Sequence, residues 1–153
     1  MDLILWRHAE AHDPEDARDD LDRALTSKGE RHAHRMANWL NRQLPATTKV
    51  LASPARRCQQ TVAALERKFK TVEALAPEAG VEALLSAVRW PDAREPVLVV
   101  GHQPTLGLTA AYLLSAQALP WAVRKGAVVW LRARDRNGEL QVLLHAVISV
   151  EML

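Results

Sequence analysis

An apolar run, Leu3-Ile4-Leu5-Trp6, stops abruptly at an adjacent cation and imidazole, Arg7-His8. A short unbroken run of this kind reads as a buried strand. Buried strands end at solvent, so the Arg-His pair is presented at a sheet edge. Far downstream the pattern returns, where Val97-Leu98-Val99-Val100 delivers Gly101-His102. In open α/β sheets ligands sit in the crevice beyond the carboxyl ends of the strands. Two strands that each end in a histidine therefore put their chemistry on one rim.

Between and after these strands the pattern alternates. Asp13 to Asp22 is the most polar stretch, broken by Asp13-Pro14, and reads as a loop over the end of the first strand. Ser27 and Glu30 have the spacing of a capping box, and Ala33, Met36, Ala37, Leu40 and Leu44 then recur at helical spacing. Val50-Leu51-Ala52 reads as a short strand, with Ser53 as N-cap and Pro54 opening the next helix. On that helix Cys58, Val62, Leu65 and Phe69 would share one apolar face. Val81, Leu84, Leu85 and Val88 predict a further helix ending before Pro91, and the Val97 strand leads to one opening near Pro104. Residues 127–134 and 140–148 form a hairpin around Asn137-Gly138, the strongest two-residue hairpin signal. The expected fold is a three-layer α/β/α sandwich with a mainly parallel central sheet, one domain over residues 1–153.

Composition narrows the function. The single Cys58 cannot form an intramolecular disulfide, and no CxxC or Cys/His ladder suggests a metal or redox site, so neither metal nor cofactor is expected. The first residues are too short and wrongly flanked for a signal peptide, and no stretch approaches the roughly 20 apolar residues of a membrane span. A cytoplasmic protein without a membrane partner is expected. The net charge is only +2 and arginines alternate with acids, which argues against nucleic acid as a partner. Trp6, Trp39, Trp90 and Trp130 read as packing residues; for Trp121, in a loop, packing and contact with a partner weigh evenly.

Arg57, in the first turn of the predicted second helix, also reaches the rim. Helix N-termini offer unpaired N–H groups to anions, and guanidinium forks match phosphate oxygens. Arg7, Arg57, His8 and His102 therefore read as a phosphate pocket. His8 and His12 are four apart, but the first ends a strand and no Glu follows it, unlike a helical zinc-protease motif. His32 and His34 read as solvated helix positions, and His145 as structural.

Four ordered segments carry a resemblance: Arg7-His8-Ala9-Glu10-Ala11, Leu25-Thr26-Ser27-Lys28-Gly29, Ser53-Pro54-Ala55-Arg56-Arg57 and Gly101-His102-Gln103-Pro104. Together they resemble the motifs of the histidine phosphatase superfamily, in its phosphoglycerate mutase-like branch. Within it the short chain resembles the SixA-type phosphohistidine phosphatases. The resemblance implies that His8 is the phosphoryl-accepting nucleophile, that Arg7 and Arg57 bind the phosphoryl oxygens, and that His102 steadies the transition state. It aligns Arg57, rather than Arg56, with the motif arginine. For Arg23 a third phosphate-binding cation and a solvated surface position weigh equally. The implied partner is a phosphorylated protein, such as a histidine phosphotransfer domain. The alternatives are a phosphatase or mutase acting on a small metabolite, and a non-catalytic phosphohistidine-binding module.

The chemistry agrees with these roles, since phosphoryl transfer asks mainly for positioning and charge stabilisation. A nucleophilic His8 must be neutral, its other ring N–H donated to a backbone carbonyl. Gly29 and Gly101 allow close backbone approach. The chain departs from the family's esterases and mutases in having no secure acidic proton donor. Glu66, Glu73, Glu78 and Glu82 are candidates by region, and Glu10 and Asp13 by closeness to His8. A phosphohistidine can leave as neutral imidazole, whereas an alkoxide needs an acid, so this gap favours phosphohistidine as substrate.

Overall fold

The computed structural model describes residues 1–153. Six strands form one sheet in the order β3-β2-β4-β1-β5-β6. These are β1 (Asp2–Arg7), β2 (Lys49–Ala52), β3 (Lys70–Thr71), β4 (Val97–Gly101), β5 (Val128–Arg136) and β6 (Glu139–Ile148). The first four run parallel, and β5 and β6 add an antiparallel edge hairpin. The mainly parallel α/β sandwich read from the sequence is the fold.

Side chains alternate across the central strands, and each face has its own core. Ile4, Trp6, Leu98 and Val100 pack on one side with Met36 and Leu40 of α1 (Ser27–Gln43) and with Cys58 and Val62 of α2 (Arg56–Ala63). Leu3, Leu5, Val97 and Val99 face the other way, onto Leu84 of α3 (Val81–Ala87) and Leu106 and Ala110 of α4 (Thr105–Ser115). Burial on both faces explains why these strands read as continuous apolar runs. The neighbours β1 and β4 thus send their following helices, α1 and α4, to opposite faces. That divergence opens a crevice at their carboxyl ends, the topological switch point of an open α/β sheet.

Three local expectations need correction. The cap of α1 is Thr26, whose Oγ1 accepts from the Gly29 amide, rather than Ser27 with Glu30. α2 begins at Arg56 after Ala55, so Ser53 is not its cap and Pro54 is not its first residue. α2 also ends at Ala63; Glu66, at φ 55°, turns the chain, and Leu65 and Phe69 reach the same core from beyond the helix. The two-residue β3 had no apolar alternation to announce it. No helix is long and apolar enough to cross a membrane.

Candidate active site

Parallel register sets Arg7 opposite Gly101, so His8 and His102 leave adjacent strands side by side. The His8 amide donates to the Gly101 carbonyl at 3.1 Å, and the two ring centroids lie 5.4 Å apart. On the other flank of β4, Ala52 aligns with Val100, which brings Ser53 to the same rim. Arg57, on the second residue of α2, completes the cluster from above with 3 % of its surface exposed. The structure therefore brings together the four residues that the sequence singled out.

Hydrogen bonds fix the two imidazoles in opposite ways. Nδ1 of His8 lies 2.8 Å from the Ala9 carbonyl. A carbonyl only accepts, so Nδ1 carries the proton and Nε2 keeps its lone pair. Nδ1 of His102 lies 3.3 Å from Nη2 of Arg57, which only donates, so here Nδ1 is the bare atom. Nε2–H of His102 then donates to Ser53 Oγ at 2.7 Å, with Cys58 Sγ at 3.5 Å behind it. Both rings are held neutral. Burial, opposed in part by the Ala9 hydrogen bond and reinforced by the charges of His102, Arg57 and Arg7, lowers the His8 pKa to about 3. Burial and the Arg57 charge lower that of His102 to about 4. Burial pushes the Cys58 thiol up to about 12, which keeps it an inert core group.

The arginines are braced from outside the cluster. Arg7 Nη1 donates to the Val123 carbonyl at 2.7 Å, and the Gly126 amide donates to the carbonyls of Arg7 and His8, so segment 123–126 clamps the end of β1. Segment 121–123 reaches this position because Gly107 of α4 has no side chain: a Cβ there would collide with the Trp121 carbonyl. Gln103 ties the two together, donating to the Trp121 carbonyl and accepting from the Gly107 amide, both at 2.7 Å. Gly29 makes a similar approach to the Glu10 carbonyl, as expected. Gly101 does not, because a Cβ there would meet Leu106 only at ordinary contact distance. Thr61 links helix to strand, receiving the Ala9 amide at 3.1 Å and donating to the Arg57 carbonyl at 2.7 Å.

One carboxylate is hydrogen-bonded into the cluster, and sequence reasoning did not name it. Asp20 Oδ2 accepts from Arg57 Nη2 at 3.0 Å, and its carbonyl accepts from Arg57 Nη1 at 2.7 Å. Its Oδ1 accepts from Arg23 Nε at 3.1 Å, and Arg23 Nη1 reaches the His12 carbonyl at 3.0 Å. Arg23 is thus tied to the acidic loop, which folds in two short 3₁₀ turns over the rim. Partial burial works against ionisation of Asp20, but the Arg57 and Arg23 contacts prevail and hold its pKa below the usual range. Glu10 instead accepts from Thr26 Oγ1 at 2.9 Å, and Asp13, Glu66, Glu73, Glu78 and Glu82 are exposed. Nε of Arg7 and Nε of Arg57 are buried without a protein acceptor. Two arginines gathered with two neutral imidazoles at one rim suit an oxyanion.

The histidine phosphatase superfamily (branch 1) model matches residues 3–80. The chain belongs to that superfamily and is a phosphatase of it. It is 32% identical over 129 residues to the phosphohistidine phosphatase SixA of Escherichia coli K12, covering 78% of each chain. It also superposes on the putative phosphohistidine phosphatase SixA of Nakamurella multipartitia with a TM-score of 0.78 and 30% identity, over 96% of this chain and 94% of that one. A protein histidine phosphatase SixA complexed with tungstate gives a TM-score of 0.77 at 25% identity, over 99% of both chains.

Proposed function

We propose that this phosphatase hydrolyses phosphohistidine on a protein, such as a histidine phosphotransfer domain, through a phosphoryl group carried on His8. The observation that carries the reading is the state of the one carboxylate bonded into the cluster. Asp20 is held ionised by Arg57 and Arg23, so it has no proton to give a departing alkoxide. A phosphohistidine needs none. As His8 Nε2 forms its bond to phosphorus, the old P–N bond breaks and its electron pair returns to the substrate imidazole, already protonated on its other nitrogen and so neutral. The likeness to two SixA-type proteins at 30% identity or more supports the same reading.

Each group has a role in this scheme. The Ala9 carbonyl holds the His8 proton on Nδ1, and the lowered pKa keeps Nε2 nucleophilic well below neutrality. Arg7 and Arg57 supply guanidinium charge and N–H donors to the equatorial oxygens. His102 is neutral in the free protein, but a phosphoryl dianion alongside raises its proton affinity, and a protonated Nδ1 then donates to that oxygen. In the second half a water oxygen bonds to phosphorus and the P–Nε2 bond breaks. The electron pair returns to His8 and the water proton goes to the released phosphate or to solvent.

The test compares turnover of a phosphorylated histidine phosphotransfer domain, free phosphohistidine and a serine phosphopeptide. The phosphoprotein should be hydrolysed fastest and the phosphoserine peptide barely at all. Equal rates on phosphoserine would overturn the assignment and redirect attention to Asp20 as a proton donor.

A further inference from the structure

At the opposite end of the sheet, where β2 and β4 begin, lies a cavity of about 870 Å³. It is lined by six cations, Lys49, Arg67, Lys68, Lys70, Arg89 and Arg94, and by one acid, Glu95. None of the six has a carboxylate within ion-pair distance, although five such pairs form elsewhere. Arg67 is held by neutral oxygens alone, those of Asn41, Leu44 and Pro45, so its charge is oriented but not neutralised. The whole chain carries only +2, so this end is strongly basic and the remainder is net acidic. Like charges gathered without counter-charge destabilise a fold, and a bound anion relieves that cost.

The walls are not purely ionic. Val50, Leu51, Phe69 and Val88 contribute apolar surface beneath the cationic rim. The size falls in the range of small-molecule sites, and an apolar floor with a few charged groups is their usual chemistry. The cavity also stands apart from the catalytic rim. Four or five residues of β2 and β4 separate Lys49 from Ser53 and Val97 from His102, roughly 15 Å of extended chain.

We propose that this basal cavity is a second ligand site, which takes a small polyanion with an apolar or aromatic part, of the nucleoside polyphosphate class. The phosphates meet the rim formed by Lys49, Lys68, Lys70, Arg89 and Arg94, and the ring system lies against Leu51 and Phe69. The apolar floor favours this ligand over an acidic peptide, whose side chains would leave the floor uncovered.

ADP is the probe, with adenosine and inorganic pyrophosphate as its two separated halves. In ¹H–¹⁵N spectra ADP should shift the amides of Lys49, Phe69, Arg89 and Arg94 while leaving His8 and His102 in place. By calorimetry it should bind more tightly than either half. Lys68→Glu with Arg94→Glu alters two exposed positions. The double variant should melt no lower than the parent and turn over substrate as the parent does, yet bind ADP about tenfold more weakly or worse, a loss of roughly 1.4 kcal/mol. The proposal is overturned by shifts confined to the catalytic rim, by unchanged affinity in the double variant, or by pyrophosphate binding as tightly as ADP. Tighter binding of a glutamate-rich peptide would overturn it as well.

Discussion

The carboxyl ends of β1 and β4 share a sequence grammar, an apolar strand followed by a histidine, yet the two histidines are wired oppositely. His8 gives its Nδ1 proton to a backbone carbonyl and leaves Nε2 bare. His102 gives its Nε2 proton to a side chain, Ser53, and turns a bare Nδ1 toward Arg57. A carbonyl is a fixed acceptor that survives any substitution at its own residue. A serine hydroxyl and a guanidinium are side chains with their own supports. Strand position therefore brings the imidazoles to the rim, and the identity of the partner decides which keeps a bare Nε2 and which a bare Nδ1.

The largest effect should come from removing each imidazole in turn. His8→Asn should leave no turnover and no acid-labile phosphoryl group on the protein after rapid quench. His102→Asn should slow the reaction by about 10²–10⁴ while the group still appears on His8. A phosphoryl group trapped on His102 would invert the comparison.

Next in size is the arginine that faces His102. Arg57→Ala should lower kcat/KM by roughly ten- to a hundredfold, the cost of about 1.5–3 kcal/mol of charge-assisted hydrogen bonding. Arg56 meets only Asp22, at 3.5 Å on the surface, so Arg56→Ala should leave steady-state rates nearly unchanged. Equal losses would show that the rim is less selective than its geometry.

Ser53→Ala separates the two rings more finely. Loss of one neutral hydrogen bond of about 1 kcal/mol should slow turnover roughly fivefold. In ¹⁵N spectra of the imidazoles, the His102 signals should move while those of His8 keep the Nδ1–H pattern. Movement of both would mean that the wiring is shared.

The last comparison concerns stability. Both histidines have folded-state pKa values below the ordinary 6.5, at about 3 and about 4. Between those values and 6.5 the unfolded chain binds more protons than the folded one, so stability falls as pH falls through that window. The Tm should therefore decline from pH 6.5 toward pH 4, and His8→Gln with His102→Gln should flatten the decline.

Much of this site was legible in the chain because backbone geometry carries it. Unbroken apolar runs gave β1 and β4, and parallel pairing then left little choice about where His8, His102 and Arg57 would meet. Asp20 was hidden for the opposite reason. It sits in a loop with Asp13, Glu15, Asp16, Asp19 and Asp22, and nothing in that composition tells which acid turns inward. Ser53 was misread because Ser-Pro fits the grammar of a helix start, while its hydroxyl accepts from the Ala55 amide and from His102. A residue's local signal and its tertiary partner can compete for the same atom, and here the tertiary partner prevailed.

Gly107 bears on how inactive variants of this protein should be understood. It contributes no functional group and lies inside a helix, yet it holds the segment whose Val123 carbonyl aims Arg7. A random-mutation screen scored on lost activity would return this position beside the arginines, and a folded Gly107→Ala protein would imitate a missing cation. Inheritance of function in such a chain depends on an empty volume as much as on any charge.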